Sequence, residues 1–531
     1  MKKLYLLISC LICFFSFNIV MGQFAGLDGQ SSKIGGIVFN DINKNRKYDN
    51  FEKGISGVLV SNSTEIVETD ENGRYSIEAF DGESIVFVIK PPAWNVPHSN
   101  NNLPQFFHNL QNEKQTESLL PGSKPGGRLS ESIDFPLYQT ETKDTFEFIA
   151  FADPQSRKLI ELYYMRDDVV SELIHTKADF GITLGDIMYD DLSLFDRHND
   201  IISKIGIPFY NVAGNHDMDY SAPDDRGALK TFKQVYGPSY YAFEYGKVNF
   251  IVLDDVEWTG KSETNAGSYR GFLGEKQLEW VQNYLKFVPT DHLIILAMHI
   301  PLFYSGSTDE VVNVADRKLL FDIMKAYENV LVIAGHMHMI EHSFIGEDLG
   351  WRNKQKLHHI TCSAVCGSWW TGPKDEKGIP ETLQRDGVPN GYHIFTIEGN
   401  TYKEYHKVAG MKKDYQMRLV YPFDKIKLTE LDTMQIIVNV FNGSVRSIVK
   451  YSIDGGEAVK MAQTVMADPY TIEAFTKAKS QYPKSLQALK SKHIWTSKLP
   501  SGLSLGIHNI TIQTVDFYEN VYETSWRFEI E

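Results

Sequence analysis

The sequence is poor in cysteine, in positive charge and, beyond its first residues, in long apolar runs. Four of its 531 residues are cysteine, and two of them, Cys362 and Cys366, lie beyond the N-terminal segment. Lys and Arg number 53 against 68 Asp and Glu, which gives a formal net charge of −15. This acidic balance argues against a protein that binds nucleic acid by neutralising phosphates, although it leaves room for a local cationic site. After residue 22, no segment is apolar enough to span a membrane.

The remaining composition is that of a globular protein, with 42% hydrophobic and 23% charged residues. A chain of 531 residues is long for one core and predicts two to four domains. Cys362 and Cys366 could form a disulfide in an exported protein, or they could be two small buried residues at a strand end. The second interpretation is favoured.

Residues 1–22 are predicted to be a secretory signal peptide that does not belong to the fold. Two lysines precede an apolar run over residues 4–20, and Gly22 offers a small residue for cleavage before Gln23. Two alternatives are open, a membrane anchor and lipidation at Cys10, which lies early for a lipoprotein site. The prediction is an exported protein, periplasmic or extracellular, with no transmembrane span in the mature chain.

Residues 33–136 are predicted to form an all-β module, with a small β-sandwich as the simplest arrangement. Short apolar runs lie at residues 36–39, 57–60 and 84–90, and no helical period competes with them. Residues 91–134 are rich in turn formers and are predicted to be surface loops and a linker.

A candidate calcium loop lies within this module. Between residues 41 and 52, oxygen-bearing side chains stand at the first, third, fifth, ninth and twelfth places, which is the ligand spacing of a calcium loop. These residues are Asp41, Asn43, Asn45, Asp49 and Glu52. Arg46 stands where such a loop has Gly for its sharp turn. The prediction is a structural Ca²⁺ site, and the alternative is a polar loop closed by side-chain caps.

From residue 145 the pattern changes to alternating strands and helices. Five apolar strands are each followed by a residue that can bind a metal or move a proton, and ligands gather at strand ends in α/β folds. One such residue could be an ordinary turn former, whereas five together predict a metal site. The residues that follow the strands are Asp153, Asp186, the run Asn215-His216-Asp217, His299, and the pair His336 and His338.

The order of these motifs resembles the calcineurin-like metallophosphoesterases, in particular secreted bacterial members with β domains on both sides of the catalytic domain. That family's pattern is Asp-x-His, Gly-Asp-x-x-Asp, Gly-Asn-His-Asp/Glu, a lone His and Gly-His-x-His. The corresponding motifs are Asp153-Pro154-Gln155, Gly185-Asp186, Gly214-Asn215-His216-Asp217, Met298-His299 and Gly335-His336-Met337-His338. The resemblance implies an α/β catalytic domain over residues 145–408, a β-sandwich flanked by helices in αββα order, and an all-β domain over residues 411–531.

The resemblance also implies two divalent metal ions, of Mn, Fe, Zn or Mg. One would be held by Asp153, Gln155, Asp186 and His338, and the other by Asp186, Asn215, His299 and His336. Gln155 stands where the family has His and is expected to weaken the first site. Asp190 is expected to be a structural acid or a helix cap before Leu192.

The implied reaction is hydrolysis of a phosphomonoester or phosphodiester by a metal-bridging hydroxide. His216 is expected to protonate the leaving oxygen or stabilise the transition state, and Asp217 to orient the His216 ring. Glu341 and His342 are expected at the surface. Candidates for contact with substrate are Tyr189, Trp369, Trp370, Asn390 and His393, and core packing is an equal alternative for the two tryptophans.

The C-terminal part contains predicted strands and a polar, helix-permissive insert over residues 463–492. It is expected to pack beside the active site or to bind a carbohydrate or a partner. Two functions follow for the whole protein. One is an enzyme acting on a phosphorylated small molecule or on a glycan or lipid phosphate ester. The alternative is a surface protein that binds a phosphorylated ligand or glycan without turnover. Gln155 favours the alternative, and the intact run Asn215-His216-Asp217 favours the enzyme.

Overall fold

A computed structural model of the chain describes residues 31–80, 84–110, 132–422 and 424–531. The predicted signal peptide and residues 111–131 of the predicted linker lie outside the described residues. Within the described part, no helix has both the length and the apolar character that a membrane crossing requires.

Among the described residues of the N-terminal module there are eight strands, as its short apolar runs predicted. They are β1 (Ser31–Asn40), β2 (Leu59–Ser61), β3 (Ile66–Glu68), β4 (Arg74–Phe80), β5 (Ser84–Val88), β6 (Trp94–Asn95), β7 (Phe107–Leu110) and β8 (Phe135–Gln139). They form two four-stranded sheets with the orders β4-β1-β8-β6 and β3-β2-β5-β7. On β4, Tyr75, Ile77 and Ala79 are buried and the residues between them are exposed, which is the alternation expected of a sandwich.

The central part alternates strands and helices. Its first half contains β9 (Thr145–Phe151), α1 (Leu159–Met165), α2 (Ser171–Leu173), β10 (Phe180–Leu184), α3 (Phe195–Ile202), β11 (Phe209–Val212), α4 (Asp225–Ala228), α5 (Lys230–Tyr236), β12 (Tyr241–Tyr245) and β13 (Val248–Val252). Its second half contains β14 (Val256–Trp258), β15 (Tyr269–Gly271), α6 (Glu275–Leu285), β16 (Leu293–Ala297), α7 (Arg317–Met324), β17 (Val330–Ala334), β18 (Glu341–Ile345), β19 (Leu357–Thr361), β20 (Gly391–Glu398) and β21 (Thr401–Val408).

Two sheets form the centre of this part, with the orders β11-β10-β9-β20-β21 and β12-β13-β16-β17-β19-β18. Strands β9 to β11 are parallel in the first sheet, and β13, β16, β17 and β19 are parallel in the second. The sheets meet through Phe148 and Phe180 on one side and Phe250 on the other, with ring centroids 5.3 Å apart. Helical residues join the same core, so the predicted αββα sandwich is confirmed.

The C-terminal part forms a second pair of sheets, with the orders β22-β24-β28-β27 and β23-β30-β29-β25-β26. Its elements are β22 (Met417–Tyr421), β23 (Lys425–Ile426), β24 (Gln435–Val440), β25 (Ile448–Ile453), β26 (Val459–Lys460), β27 (Ala462–Ala467), α8 (Pro469–Lys477), β28 (Lys490–Lys498), β29 (Gly506–Val515) and β30 (Val521–Ile530). Residues 463–492 are helical only in α8, where Asp468 caps the helix and Pro469 begins it. The start of this segment is strand instead, because β27 pairs with β28.

The expectation that Glu341 and His342 lie at the surface is wrong. Both are buried on β18, and His342 Nδ1 lies 2.9 Å from His358 Nε2. The other His342 ring nitrogen lies 2.9 Å from Asn442 Oδ1 in the C-terminal part. The strand is covered by a part of the chain a hundred residues away, which local polarity does not reveal.

Candidate metal centre

The predicted ligands stand directly after strands whose carboxyl ends face one another across the two central sheets. Asp153 follows β9, Asp186 follows β10 and Asn215 follows β11 in the first sheet. His299 follows β16 and His336 follows β17 in the second. Ligand atoms of Asp186, His299 and His336 all lie within 4.8 Å of one another. Residues that are far apart in sequence therefore form one buried group.

Glycines at the strand ends allow this close approach. A Cβ on Gly185 would lie 2.5 Å from His299 Nδ1, and Gly185 also has a left-handed φ of +83°. A Cβ on Gly214 would lie 2.3 Å from Asp186 Oδ1, and one on Gly335 would lie 2.8 Å from Asp153 Oδ2. These three glycines directly precede Asp186, Asn215 and His336. At each of the three positions, the site has no room for a larger residue.

The backbone of the site is unusual for residues that are not glycine. A left-handed φ costs on the order of 1–3 kcal/mol for a residue with a side chain, and such residues cluster at functional sites. Five of the seven predicted metal ligands have φ between 42° and 72°: Asp153, Gln155, Asp186, His336 and His338. The fold keeps these side chains together despite the local cost.

Three histidines have their tautomers fixed by backbone carbonyls. His299 Nδ1 lies 2.8 Å from Leu184 O, His336 Nε2 lies 2.9 Å from Val311 O, and His338 Nδ1 lies 2.6 Å from Gly367 O. A carbonyl oxygen can only accept, so the nitrogen facing it must carry the proton. The remaining nitrogen of each neutral ring then presents a lone pair to the site, as in histidines that bind metals.

Acceptor atoms converge around His299 Nε2. Asn215 Oδ1 lies 3.1 Å away, and Asp186 Oδ1 and His336 Nδ1 each lie 3.2 Å away. When His299 is neutral, with the tautomers described above, these four atoms are two lone-pair nitrogens, an amide oxygen and a carboxylate oxygen. Acceptors at such distances repel one another unless a cation stands between them.

The electrostatics of the group agree with a cation site. Burial lowers the pKa of His336 to about 3 and that of His338 to about 4, so both rings are neutral. Burial raises the pKa of Asp153 to about 7. Burial also opposes the charged form of His299, but the Asp186 carboxylate outweighs it and raises the pKa of His299 to about 10. The carboxylates thus attract positive charge, which either a proton or a metal ion can supply.

On the Gln155 side of the site, the predicted ligands do not converge on one point. His338 Nε2 lies 3.6 Å from Asp153 Oδ1, which is beyond hydrogen-bond distance. Gln155 turns its amide nitrogen towards Asp186 Oδ2, at 2.8 Å, while its amide oxygen lies 3.7 Å from the thiol of Cys366. In this orientation Gln155 bonds to a predicted ligand and does not itself present an oxygen to a metal.

The ring of His216 is oriented by Asp190, so the expected role of Asp217 is wrong. Asp190 Oδ1 lies 2.7 Å from His216 Nδ1, and the Tyr189 ring stacks on the imidazole with centroids 4.3 Å apart. Asp217 instead accepts hydrogen bonds from the backbone N–H groups of Gly214, Ile187 and Met188, because it is buried beneath the loop. The cap of the 3-10 turn Leu192–Leu194 is Asp191, not Asp190.

The candidates for substrate contact divide into two groups. Trp369 is half-buried and its ring lies 4.5 Å from that of His338, so it stands beside the site, as Tyr189 does. Trp370 is buried, and its indole N–H donates to Pro154 O. The expectations for Asn390 and His393 are not supported, because Asn390 donates to Asp168 and His393 is fully buried against Glu404.

Two further residues belong to the site. Asp255 accepts the backbone N–H groups of His299 and Ile300 and is fully buried. It comes shortly after β13, so the strand-end rule used for the other acids could have identified it. Tyr220 donates its hydroxyl hydrogen to Asn215 O at 2.7 Å, for which the sequence carries no signal.

The candidate calcium loop is closed by its own side chains. Asp41 accepts backbone N–H groups from Asn45 and Arg46, and Asp49 accepts from the amides of Asn43 and Asn45. Glu52 accepts from two further N–H groups of the loop. Arg46 has a φ of 64°, the left-handed conformation that a calcium loop normally assigns to Gly. These contacts agree with both the calcium interpretation and the side-chain-cap interpretation.

Cys362 and Cys366 are free thiols and fully buried, which agrees with the favoured interpretation.

Three family models match the chain. The model described as calcineurin-like phosphoesterase matches residues 147–339, and models described as the N-terminal and C-terminal parts of calcineurin-like phosphoesterase match residues 42–119 and 359–522. The chain therefore belongs to the calcineurin-like phosphoesterases, a family of metal-dependent phosphoric ester hydrolases that bind two metal ions.

Two relatives extend the comparison. An uncharacterised protein, YvnB of Bacillus subtilis (strain 168), is 26% identical over 284 residues, which are 50% of this chain and 20% of YvnB. The 3',5'-cyclic-nucleotide phosphodiesterase alr5338 of Nostoc sp. is 22% identical over 199 residues, 37% of this chain and 65% of that protein. The chain thus spans a fifth of the length of the first relative and just under two-thirds of the second.

Two solved structures are similar in part. A dimetal phosphatase from Danio rerio superposes with a TM-score of 0.32 and 15% identity, covering 49% of this chain and 98% of that one. The purple acid phosphatase PPD1 from yellow lupin (Lupinus luteus) seeds gives a TM-score of 0.36 and 12% identity, covering 71% and 67%.

Proposed function

We propose that this protein hydrolyses a phosphate ester at a two-metal centre formed by the strand-end residues. The observation that supports this most strongly is the convergence of Asn215 Oδ1, Asp186 Oδ1 and His336 Nδ1 on His299 Nε2, because a bound cation would satisfy all four atoms at once. Carboxylate, amide and imidazole donors are a set that suits Mn, Fe, Zn or Mg. A proton on His299 would relieve part of the repulsion, whereas a metal ion would bind all four atoms.

The two ions would share Asp186. Asn215, His299 and His336 would complete one set of ligands, and Asp153, Gln155 and His338 would complete the other. When bound, two such ions clamp a phosphate ester, lower the pKa of a bound water and stabilise the charge that develops in an in-line displacement. Gln155 can join its set only if its amide rotates to present the oxygen.

His216 is proposed as the general acid. Its Nδ1 is held by Asp190, and its Nε2 has no hydrogen-bond partner among the described residues. That nitrogen can carry a proton towards the leaving oxygen of the ester, which removes the cost of expelling an alkoxide. Asp190→Asn is expected to lower kcat about a hundredfold with unchanged metal content, because the ring loses its orientation. Asp191→Asn is the matched control.

The proposed substrate is a phosphomonoester or phosphodiester of a small molecule, or a glycan or lipid phosphate ester. The name of the Nostoc relative makes 3',5'-cyclic nucleotides the first diesters to assay. The activity test uses p-nitrophenyl phosphate and bis-p-nitrophenyl phosphate with the purified protein and Mn²⁺, Zn²⁺, Mg²⁺ or Fe²⁺ in turn. Metal-dependent release that chelation abolishes is the expected result. No release with any metal from either ester would reject the enzyme.

The alternative is a protein that binds a phosphorylated ligand or glycan without turnover. The amide orientation of Gln155 favours it, because the first metal set is then incomplete. Binding of phosphate with an affinity that depends on metal, together with no turnover of any ester, would select this alternative.

Export and a calcium role are proposed on sequence evidence. If residues 1–22 are a signal peptide, the protein isolated from the periplasm or medium should begin at Gln23, whereas an intact first residue would contradict export. If the loop at residues 41–52 binds Ca²⁺, adding Ca²⁺ should raise the Tm, and Asp41→Asn should abolish that rise. A Ca²⁺-independent Tm would leave the cap interpretation.

A further inference from the structure

Arg385 lies beside the candidate metal centre on the C-terminal side of His338. Its backbone N–H donates to His338 O at 2.9 Å, and its own carbonyl accepts from Leu489 N at 2.7 Å. The neighbours on both sides face into the core. Gln384 accepts from Ala364 N, Asp386 accepts from Ile340 N, and both side chains are fully buried. The Arg385 side chain is only half-buried, so it occupies the other side of this segment.

The guanidinium of Arg385 has no carboxylate partner within the described part of the chain. Its Nε is buried and makes no hydrogen bond there. The acids nearby are already committed. Glu341 pairs with Lys492 at 2.8 Å, and Asp386 lies 3.0 Å from His493 Nε2. A buried guanidinium N–H without an acceptor costs free energy, and an anion bound from outside the chain would offset that cost.

A backbone contact places Arg385 next to a predicted metal ligand. The carbonyl that accepts its N–H belongs to His338, whose ring is held by Gly367 O and has its centroid 4.5 Å from that of Trp369. From this position, the long side chain of arginine can reach the side of the site where Trp369 stands.

The C-terminal part supports this wall of the site. Phe475, Tyr482 and Leu486 form a small buried cluster against Trp369, whose ring lies 4.5 Å from that of His338. The hydrogen bond from Leu489 N fixes the backbone of Arg385 from the same segment. Helix α8 and the segment that joins it to β28 therefore contact both Trp369 and Arg385.

We propose that Arg385 is a substrate-binding residue whose guanidinium binds oxygens of the phosphate group at the His338 side of the centre. The planar fork of arginine matches phosphate oxygens and adds charge-assisted hydrogen bonds that a diester, with fewer charged oxygens, uses less fully. The inference rests on the proposed function, because it takes the metal-facing histidines as the place where the ester binds.

The test measures binding of inorganic phosphate to the Mn²⁺-loaded protein by calorimetry. Arg385→Gln should weaken the Kd about 10- to 100-fold, and Arg385→Lys should weaken it less. Arg446→Gln is the matched control, because Arg446 is exposed over Phe344 and lies elsewhere on the contact with the C-terminal part. Metal content and Tm should stay at the wild-type values in Arg385→Gln.

The kinetic arm separates the inference from the proposed function. In Arg385→Gln, KM for p-nitrophenyl phosphate should rise more than KM for bis-p-nitrophenyl phosphate, and added guanidinium should restore part of the loss. An unchanged phosphate Kd in Arg385→Gln would overturn the inference while leaving hydrolysis intact. If the wild type shows no hydrolysis but Arg385→Gln still loses phosphate affinity, the enzyme fails and the binding residue stands. No phosphate binding by the wild type would overturn both.

Discussion

On the His299 side of the site, Asn215 Oδ1, Asp186 Oδ1 and His336 Nδ1 lie 3.1–3.2 Å from one nitrogen. On the Gln155 side, His338 and Asp153 are 3.6 Å apart, and the Gln155 amide donates to Asp186. The first set is assembled before any ion arrives, whereas the second needs a side-chain rotation. For the proposed two-metal centre, this difference predicts two sites of unequal affinity, with the tighter one on the His299 side.

The largest effect should come from the residue that both sets share. Asp186→Asn removes the carboxylate from both sites, so we expect loss of both ions and a fall in kcat of at least about a thousandfold. Metal analysis by mass spectrometry and an ester assay measure it. Asp196→Asn, at an exposed position on α3, is the control. A variant that kept one tightly bound ion and most of its activity would show that Asp186 is not shared.

The next prediction compares the loss of one ligand from each of the two sets. His299→Ala should lower activity by about a hundredfold or more and release the tighter ion, because it removes the atom on which the acceptors converge. Gln155→Ala should lower activity by no more than about tenfold, since its oxygen is not yet in place. Titration with Mn²⁺ compares the two. Equal losses would contradict the unequal sites.

The smallest effect should strengthen the weaker site. Gln155→His would replace an amide that must rotate by an imidazole with a permanent lone pair. We expect about tenfold tighter binding of the second ion and a lower Mn²⁺ concentration at half-maximal activity. Cys366→Ser is a useful companion, because it changes the other neighbour of Gln155 without adding a ligand. Unchanged Mn²⁺ dependence in Gln155→His would show that position 155 does not contact a metal.

Much of the fold was accessible from the sequence because strand and helix periods are local. The strands Phe180–Leu184 and Val330–Ala334 are two of the five apolar strands predicted before the candidate ligands, since each is a short apolar run between turn residues. The burial of β18 could not be predicted from the sequence, because it depends on Asn442, which packs on the strand from the C-terminal part. Polarity alone predicted exposure there, and tertiary contact decided otherwise.

For the site, too, some features could be predicted from the sequence and others could not. The residue types and their strand-end positions were predictable, because ligands in this kind of sheet gather at the carboxyl edge. The role of Asp190 was not, because its carboxylate and that of Asp217 are both close to His216 in the fold, and only geometry shows which one meets the ring. No sequence pattern identified Arg385, because the lack of a carboxylate partner for its guanidinium is visible only in the folded structure.

The most direct measurement is a crystal structure of the Mn²⁺-loaded protein with anomalous difference maps. Two peaks should appear, the stronger contacting Asp186, Asn215, His299 Nε2 and His336 Nδ1, and the weaker contacting Asp153, Asp186 and His338 Nε2. The ring nitrogens that face Leu184 O, Val311 O and Gly367 O should remain unligated. A peak bound through those nitrogens, or no peak between the two sheets, would contradict the assignment.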